Sequence, residues 1–308
     1  MKDGVVVLSC AIGRRSSPYA CLSYCWGADL RGVVVTSKEN IGAHQLGLPL
    51  SALPNAIQDA AAVCQGLNLR YLWVDSLCII QNDPEDWKRE SGRMHDVYSN
   101  SYITIAAHHT KSCKESFLGQ QELGNAPWQR DEDERGRTMP PPPLPLDTRG
   151  WTLQETILPS RIIHFNGYEL SWECNTRVFC ECETYSKPWQ RDLVLDGWME
   201  IVRQYTARAL TVSSDKPMAV AGLAQMVQAT IPEGEDTAYF AGLFRGKLLQ
   251  HLLWVIIHPR TSRPVHSLAP SWSWISVGGP VQYANLASGE LRKHWGKRIH
   301  QLRHPQRA

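Results

Sequence analysis

From residue 19 to residue 165 short apolar segments alternate with helical stretches, and few folds accept that order. Tyr19-Ala20-Cys21-Leu22-Ser23-Tyr24 is short, apolar and aromatic and ends at Trp26-Gly27, the pattern of a buried strand that turns at its glycine. Residues 55–65 follow Pro54, with Ala56, Ile57, Ala60, Ala61 and Cys64 in helical spacing and Gly66 placed to end the helix. Tyr71 to Ile80 is apolar nearly throughout, as a central parallel strand covered on both faces should be. Asp83-Pro84-Glu85-Asp86 supplies a cap, a proline at the first helical position and acids in the first turn. Trp87, Met94, Val97 and Tyr98 give the helix that follows its apolar face. Tyr102 to Ala107 is a third strand, rich in β-branched residues, Trp151 to Leu158 a short helix stopped by Pro159, and Arg161 to Phe165 a fourth strand. This alternation predicts an α/β fold with a mostly parallel sheet flanked by helices.

Beyond about residue 185 the texture changes. Trp198 to Leu210, Pro217 to Ala229 and Leu243 to Ile257 read as helices, and Ser271 to Ile275 as a compact aromatic strand. The expected organisation is an α/β domain at 1–185 and a mostly helical region at 186–308. Within the first, the stretch of about 119–147 is polar and then carries four consecutive prolines from Pro140 to Pro143, a surface insertion that neither helix nor sheet accepts. Val5 to Leu8 reads as an early strand, too short for the apolar region of a signal peptide. No apolar run reaches the roughly 18 residues of a membrane-spanning helix. At 43% hydrophobic residues the chain is too apolar for disorder. Its net charge of +2 conceals a basic tail after Glu290, with Arg292, Lys293, Lys297, Arg298, Arg303 and Arg307; the remainder has no basic surplus that would mark a nucleic-acid binder. Nine cysteines in apolar contexts fit thiols in a reducing, cytoplasmic setting better than a disulfide framework.

Candidate site residues cluster at the ends of the apolar segments. Ser23, Tyr24, Trp26 and Gly27 lie where a parallel strand ends, the usual place for a ligand crevice, and Gly27 allows close backbone approach to a phosphate. The plainer reading is a tight turn with Trp26 in the core. Asp75 and Ser76 interrupt an apolar strand, which is costly unless both are hydrogen-bonded; they line the site or hold the neighbouring loop. Gln81 and Asp83 read as turn and cap. In Arg149-Gly150-Trp151-Thr152-Leu153-Gln154-Glu155 the carboxylate stands one helical turn after Trp151. Alternatively Trp151 anchors the core and Glu155 tops a short helix. Cys174, Cys180 and Cys182 with His164 lack the paired spacing of a zinc site, so no metal is expected. Cys25, between two aromatics, reads as an inert buried thiol rather than a nucleophile served by a histidine such as His164. His108 and His109 read as solvated polar residues, and no P-loop, dinucleotide-binding fingerprint or serine elbow occurs.

In Leu22-Ser23-Tyr24-Cys25-Trp26-Gly27, Tyr71 to Gln81, Asp86-Trp87 with Met94 and Tyr98, and Gly150 to Glu155, the chain resembles the fungal heterokaryon incompatibility (HET) domain family over roughly residues 19–174. Tyr205 to Arg208, Ser214-Asp215-Lys216 and Ala269 to Trp274 are similar to the helical region that often follows this domain in long members. The resemblance implies a cell-death effector of fungal non-self recognition, a form of innate immunity, and a distant similarity to TIR domains with their flavodoxin-like sheet. Leu22 to Asp29 looks like the first-strand motif of a TIR domain, ending in a glycine and an acid. Arg149 to Thr156 is similar to the plant TIR run Ser-Arg-Trp-Cys-Leu-x-Glu-Leu and departs from it at Thr156. By that likeness Glu155 matches the carboxylate that cleaves NAD, and Ser23, Tyr24, Trp26, Gly27, Asp75, Ser76, Trp151 and Gln154 shape the substrate pocket. Nicotinamide leaves as a neutral molecule through an oxocarbenium-like state, so one carboxylate near the ribose suffices, with Trp151 stacking on a planar ring. NAD enters as a substrate rather than a cofactor. The expected partners are further copies of the chain, NAD or another nucleotide, and a signalling protein, not nucleic acid or a membrane. Two other readings stay open: a non-catalytic, self-associating signalling module, and a short family member recruited as a metabolic enzyme.

Overall fold

The computed structural model describes residues 4–9, 17–119, 143–181, 186–188, 195–257 and 268–284. The chain divides into two compact units, Met1–Asp192 with Ala209–Met226, and Leu193–Arg208 with Val227–Ala308. The stretch 209–226 thus belongs with the first unit, although it follows the first segment of the second. The greater part of the expected insertion and the basic tail lie outside the described residues.

In chain order the first unit contains β1 (Val5–Val6), β2 (Tyr19–Ser23), α1 (Ile41–Leu46), β3 (Leu48–Pro49), α2 (Asn55–Gly66), β4 (Tyr71–Trp73), α3 (Asp75–Cys78), α4 (Pro84–Ser99), β5 (Ile103–Ala107), α5 (Thr152–Ile157), β6 (Arg161–Phe165), β7 (Leu170–Cys174), β8 (Arg177–Cys180) and β9 (Ser186–Pro188). Helix α6 (Leu195–Thr206) opens the second unit, and α7 (Lys216–Thr230) begins in the first. A seven-stranded sheet runs in the order β4-β2-β5-β6-β7-β8-β9. Its first four strands are parallel: β2 lies between β4 (Cys21 opposite Trp73) and β5 (Ser23 opposite Ala106), and β5 pairs with β6 (Ala106 opposite His164). The succession of strands therefore reverses between β2 and β5.

Alternation along β2 assigns its two faces. Ala20, Leu22 and Tyr24 join Ala56, Ile57, Ala60 and Cys64 of α2 in one core, where three alanines let the helix lie close to the sheet. On the other face the Cys21 thiol reaches the Val97 carbonyl of α4, and Ser23 meets α5. Helix α4 starts where its sequence indicates: the Asp83 carboxylate accepts from the Glu85 and Asp86 amides, with Pro84 at the first position. Replacing Asp83 by alanine is expected to lower stability by about 1 kcal/mol, and Asp83→Asn by much less. Equal losses in urea unfolding would instead assign the effect to the Asp83–Lys38 ion pair at 3.2 Å.

Three segments are corrected, and the expected sheet gains an extension. Tyr71 to Ile80 is not one strand: β4 ends at Trp73, and Asp75 opens a helical turn by accepting the Ser76 amide at 2.7 Å, the local bonding that draws Asp and Ser out of strands. The sheet is parallel only as far as β6; β7, β8 and β9 continue it as an antiparallel meander that sequence pattern did not indicate. In the second unit, Leu243 to Ile257 is not a helix but β11 (Leu243–Phe244), a short α8 (Leu248–His251) and β12 (Trp254–Ile256), following β10 (Tyr239–Phe240). Strand β12 is claimed by β13 (Val281–Tyr283), since a short apolar run takes the state its neighbours offer. Ser271 to Ile275 is likewise no strand: Ser273 caps a 3-10 turn at Trp274–Ser276 by accepting the Ile275 amide.

The core of the second unit centres on Trp198 and Trp274, both fully buried, whose indole N–H groups donate to the one carbonyl of Gly242 at 2.9 and 2.8 Å. Gly242 has a φ of +91°, and a Cβ there would stand 2.7 Å from the Trp274 indole nitrogen, so only glycine fits. Among the described residues no helix is long and apolar enough to cross a membrane.

Candidate active site

The C-terminal end of β2 carries Ser23, fully buried, and its hydroxyl donates to Glu155 Oε2 at 2.5 Å. Ser23 faces α5 because β2 alternates, and α5 is enclosed all round, with Thr152, Leu153, Gln154 and Glu155 all buried and Glu155 turned to Ser23. Glu155 is only 7% exposed. Burial pushes its carboxyl up to about 7, reinforced by the negative charge of Asp75; hydrogen bonds from Ser23 and Tyr98 and the Arg149 guanidinium pull the other way. A carboxyl titrating near neutrality can exchange a proton or, once ionised, stabilise a developing cation.

Two further pairs stand beside it. The Trp26 indole donates to Asp75 Oδ2 at 2.8 Å, and the Tyr24 hydroxyl donates to Ser76 Oγ at 2.9 Å. Burial raises Asp75 above the usual carboxylate range, opposed by Trp26, the Ser76 amide and Arg149. Gln81 bonds the carbonyls of Asp75 and Ile79 and holds the turn in place. Arg149 donates to the Tyr24 carbonyl at 3.3 Å and is the cation that acts on Cys25, Asp75 and Glu155 together. In the sequence Arg149 stands out only as the start of a motif, and Tyr98 only on an apolar helix face and within the family resemblance. The signal it lacked is their meeting with Glu155, visible only in three dimensions.

The remaining candidates are placed differently. Trp151 packs edge-on against Trp87 at 6.4 Å and bonds the Asp215 carboxylate. Gln154 is buried, with Oε1 unpartnered and close to Gly222. Gly27 takes a φ of +94°, and its bare Cα faces Ser112, whose Oγ would lie 2.6 Å from an added Cβ. The glycine is thus required by this turn. Burial raises the Cys25 thiol, and His164 is bonded to His108 instead, so the two do not form a nucleophile–base pair. Of the other cysteines named as candidates, Cys174 bonds Thr176, Cys180 is disulfide-bonded against the expectation of thiols throughout, and Cys182 lies outside the described residues. Among the described residues no group of three His, Cys, Asp or Glu side chains could hold a metal ion. His108 is not solvated, as its position at a strand end suggested, but buried against His164.

Residues 19–155, somewhat under half of the chain, match the family model described as heterokaryon incompatibility protein (HET). The match begins at the first residue of β2 and ends at Glu155, so it encloses the strand end, the Asp75 turn and the helix that carry this site. No curated protein and no solved structure matches the chain.

Proposed function

We propose that this chain, through its heterokaryon incompatibility domain, acts as a cell-death effector that cleaves NAD at the nicotinamide–ribose bond, with Glu155 as the essential carboxylate. The observation that carries the reading is the Ser23–Glu155 contact at the end of β2, next to the reversal of strand order between β2 and β5. In open α/β sheets ligands bind at such a switch point, outside the carboxyl ends of the strands. The parallel order β4-β2-β5-β6 is also that of flavodoxin-like sheets, which supports the distant similarity to TIR domains. In the proposed reaction the C1′–nitrogen bond breaks, and its electron pair leaves with neutral nicotinamide. Ionised Glu155 stabilises the oxocarbenium-like ribose, and water adds at C1′ and releases a proton. Trp26, Tyr24, Asp75 and Ser76 support the site through the contacts above, and assembly with further copies of the chain brings it into its working state.

The test mixes the protein with NAD at high protein concentration with a crowding agent and follows free nicotinamide by chromatography. Glu155→Gln is expected to reduce release by about 10²- to 10³-fold, the scale of losing one transition-state electrostatic contact. A specific observation favours a second reading, a non-catalytic signalling module: the polar side chains of the site pair with one another, and Glu155 is nearly enclosed. Absence of release from protein shown to be folded and assembled would overturn NAD cleavage and favour that module.

A further inference from the structure

The connection that carries Arg149 is tied down by chain from far along the sequence. Ala209, where the chain returns to the first unit, lies beside Arg149 in an isolated parallel bridge. Its amide donates to the Thr148 carbonyl and its carbonyl accepts from the Gly150 amide, both at 2.7 Å. The two bonds straddle Arg149, one on the residue before it and one on the residue after. Leu210 adds a side-chain contact. A Cβ on Gly150 would stand 2.6 Å from Leu210 Cδ2, 2.9 Å from its Cγ and 3.3 Å from the Ala209 carbonyl oxygen. The leucine therefore presses on the bare Cα of a buried glycine. From within the connection, the Arg149 amide donates to the Leu146 carbonyl at 3.2 Å, and the Arg149 carbonyl accepts from Thr152 Oγ1 at 2.8 Å.

A backbone held on both sides gives the side chain a defined reach. The guanidinium donates to the carbonyl of Tyr24, the residue after Ser23, and also bonds the Cys25 thiol. The groups that face Glu155 come from every element around it. Ser23 and the Cys21 thiol belong to β2, the Cys25 thiol to its end, Asp75 to α3, Tyr98 to α4 and Arg149 to the connection before α5. Among these groups Arg149 is the cation. A guanidinium keeps its charge at any working pH, so the fold can adjust only how close it stands to the carboxyl.

We propose that Gly150, Ala209 and Leu210 are positioning residues of the site, a clasp that holds the Arg149 guanidinium beside Glu155. Its effect on catalysis rests on the NAD-cleaving reading above; its effect on Glu155 itself does not. Ala209 and Leu210 lie outside residues 19–155, so the site draws on more of the chain than the family match spans.

The experiment titrates the full chain, labelled with side-chain 13C-glutamate, by NMR. Arg149→Gln is expected to raise the Glu155 midpoint by about one pH unit, because an opposite charge favours the ionised carboxyl. Gly150 is not in the left-handed region, so its backbone accepts alanine, but the added Cβ drives Leu210 and Ala209 away. Gly150→Ala should therefore raise the midpoint by part of that unit. Leu210→Ala, which leaves a void over Gly150, should do the same. Combined, the two alanines refill the contact and should return the midpoint to the wild-type value. Arg149→Gln with Gly150→Ala should match Arg149→Gln alone. An unmoved midpoint in Arg149→Gln would overturn the proposal. So would single-variant shifts that persist in the combined alanines, or a Gly150→Ala shift that adds to Arg149→Gln. Should Gly150→Ala fail to fold, Leu210→Ala decides, and an unmoved midpoint there overturns the clasp. Nicotinamide release is followed in the same samples, and under the NAD-cleaving reading its pH profile moves to higher pH with the titration. Shifted titrations without release at any pH retain the clasp and overturn cleavage. Release with every midpoint unmoved does the reverse.

Discussion

Glu155→Gln is expected to be more stable than the wild type above neutral pH while losing turnover. The usual carboxylate in a protein is held below its ordinary range and stabilises the fold as pH rises; Glu155 is held above it, so the sign reverses. Below its unfolded value of 4.5 the group is protonated in both states and contributes no pH dependence. As pH rises from 4.5 toward 7 the unfolded chain releases this proton and the folded chain keeps it, so stability falls across that window and levels off above it. The depth of the fall is about 3 kcal/mol at about 1.4 kcal/mol per unit. A glutamine of the same shape has no proton to release and retains the amide N–H and oxygen for Ser23. Urea unfolding of both proteins at several pH values should show curves that converge at acid pH and separate toward neutrality. A glutamine variant less stable at every pH would mean that the carboxylate itself holds Ser23 and α5 together. A site group whose removal strengthens the fold is the pattern of function maintained against stability, and it would favour the enzyme over the signalling module.

The strands and helices up to β6 were legible because each is a local pattern read over adjacent residues: alternation in β2, a capped proline start in α4, β-branched density in β5. What failed depends on partners. The Tyr71–Ile80 run is apolar along its length, and only the side-chain bond of Asp75 to its neighbour turns it into a helical start. Strands β7 to β9 pair across antiparallel neighbours with mixed polarity, a weak signal without the partner strand in view. The same division holds for the site. Ser23 and Glu155 are 132 residues apart, yet each sits in a short recognisable segment, so their nomination for one site could be made from sequence. His108, just after β5, and His164, within β6, are single residues 56 apart, and nothing in their spacing announces that they meet. The Trp26–Asp75 and Tyr24–Ser76 bonds fall between these cases: the polar residues in apolar surroundings demanded partners, and the fold supplied them.

Gly222→Ala tests how the fold holds this site in register. Gly222 lies in the part of α7 that belongs to the first unit, where alanine would by intrinsic preference stabilise a helix by about 1 kcal/mol. A Cβ at this position, however, would stand 2.4 Å from His95 Cβ on α4 and 2.5 Å from Gln154 Oε1 on α5. The first of those atoms is fixed to the backbone of α4, so it cannot swing aside as the end of a long side chain would. Overpacking of this kind costs about 1–3 kcal/mol and outweighs the helix preference. The expected outcome is a net loss of about 2 kcal/mol in urea unfolding. Gly92→Ala on α4, where an added Cβ meets nothing within 4 Å, is the matched control and should gain up to about 1 kcal/mol. Gln154 adjoins Glu155 in the chain, so relief of the clash through α5 would also shift the Ser23–Glu155 contact and move the Glu155 titration. Stabilisation by both alanines would show that α7 does not press on α4 and α5. Loss of stability at Gly222 with an unmoved Glu155 titration would place the accommodation in α4 alone, leaving α5 set by Leu146 and Arg149, whose carbonyls anchor Thr152 at 2.7 and 2.8 Å.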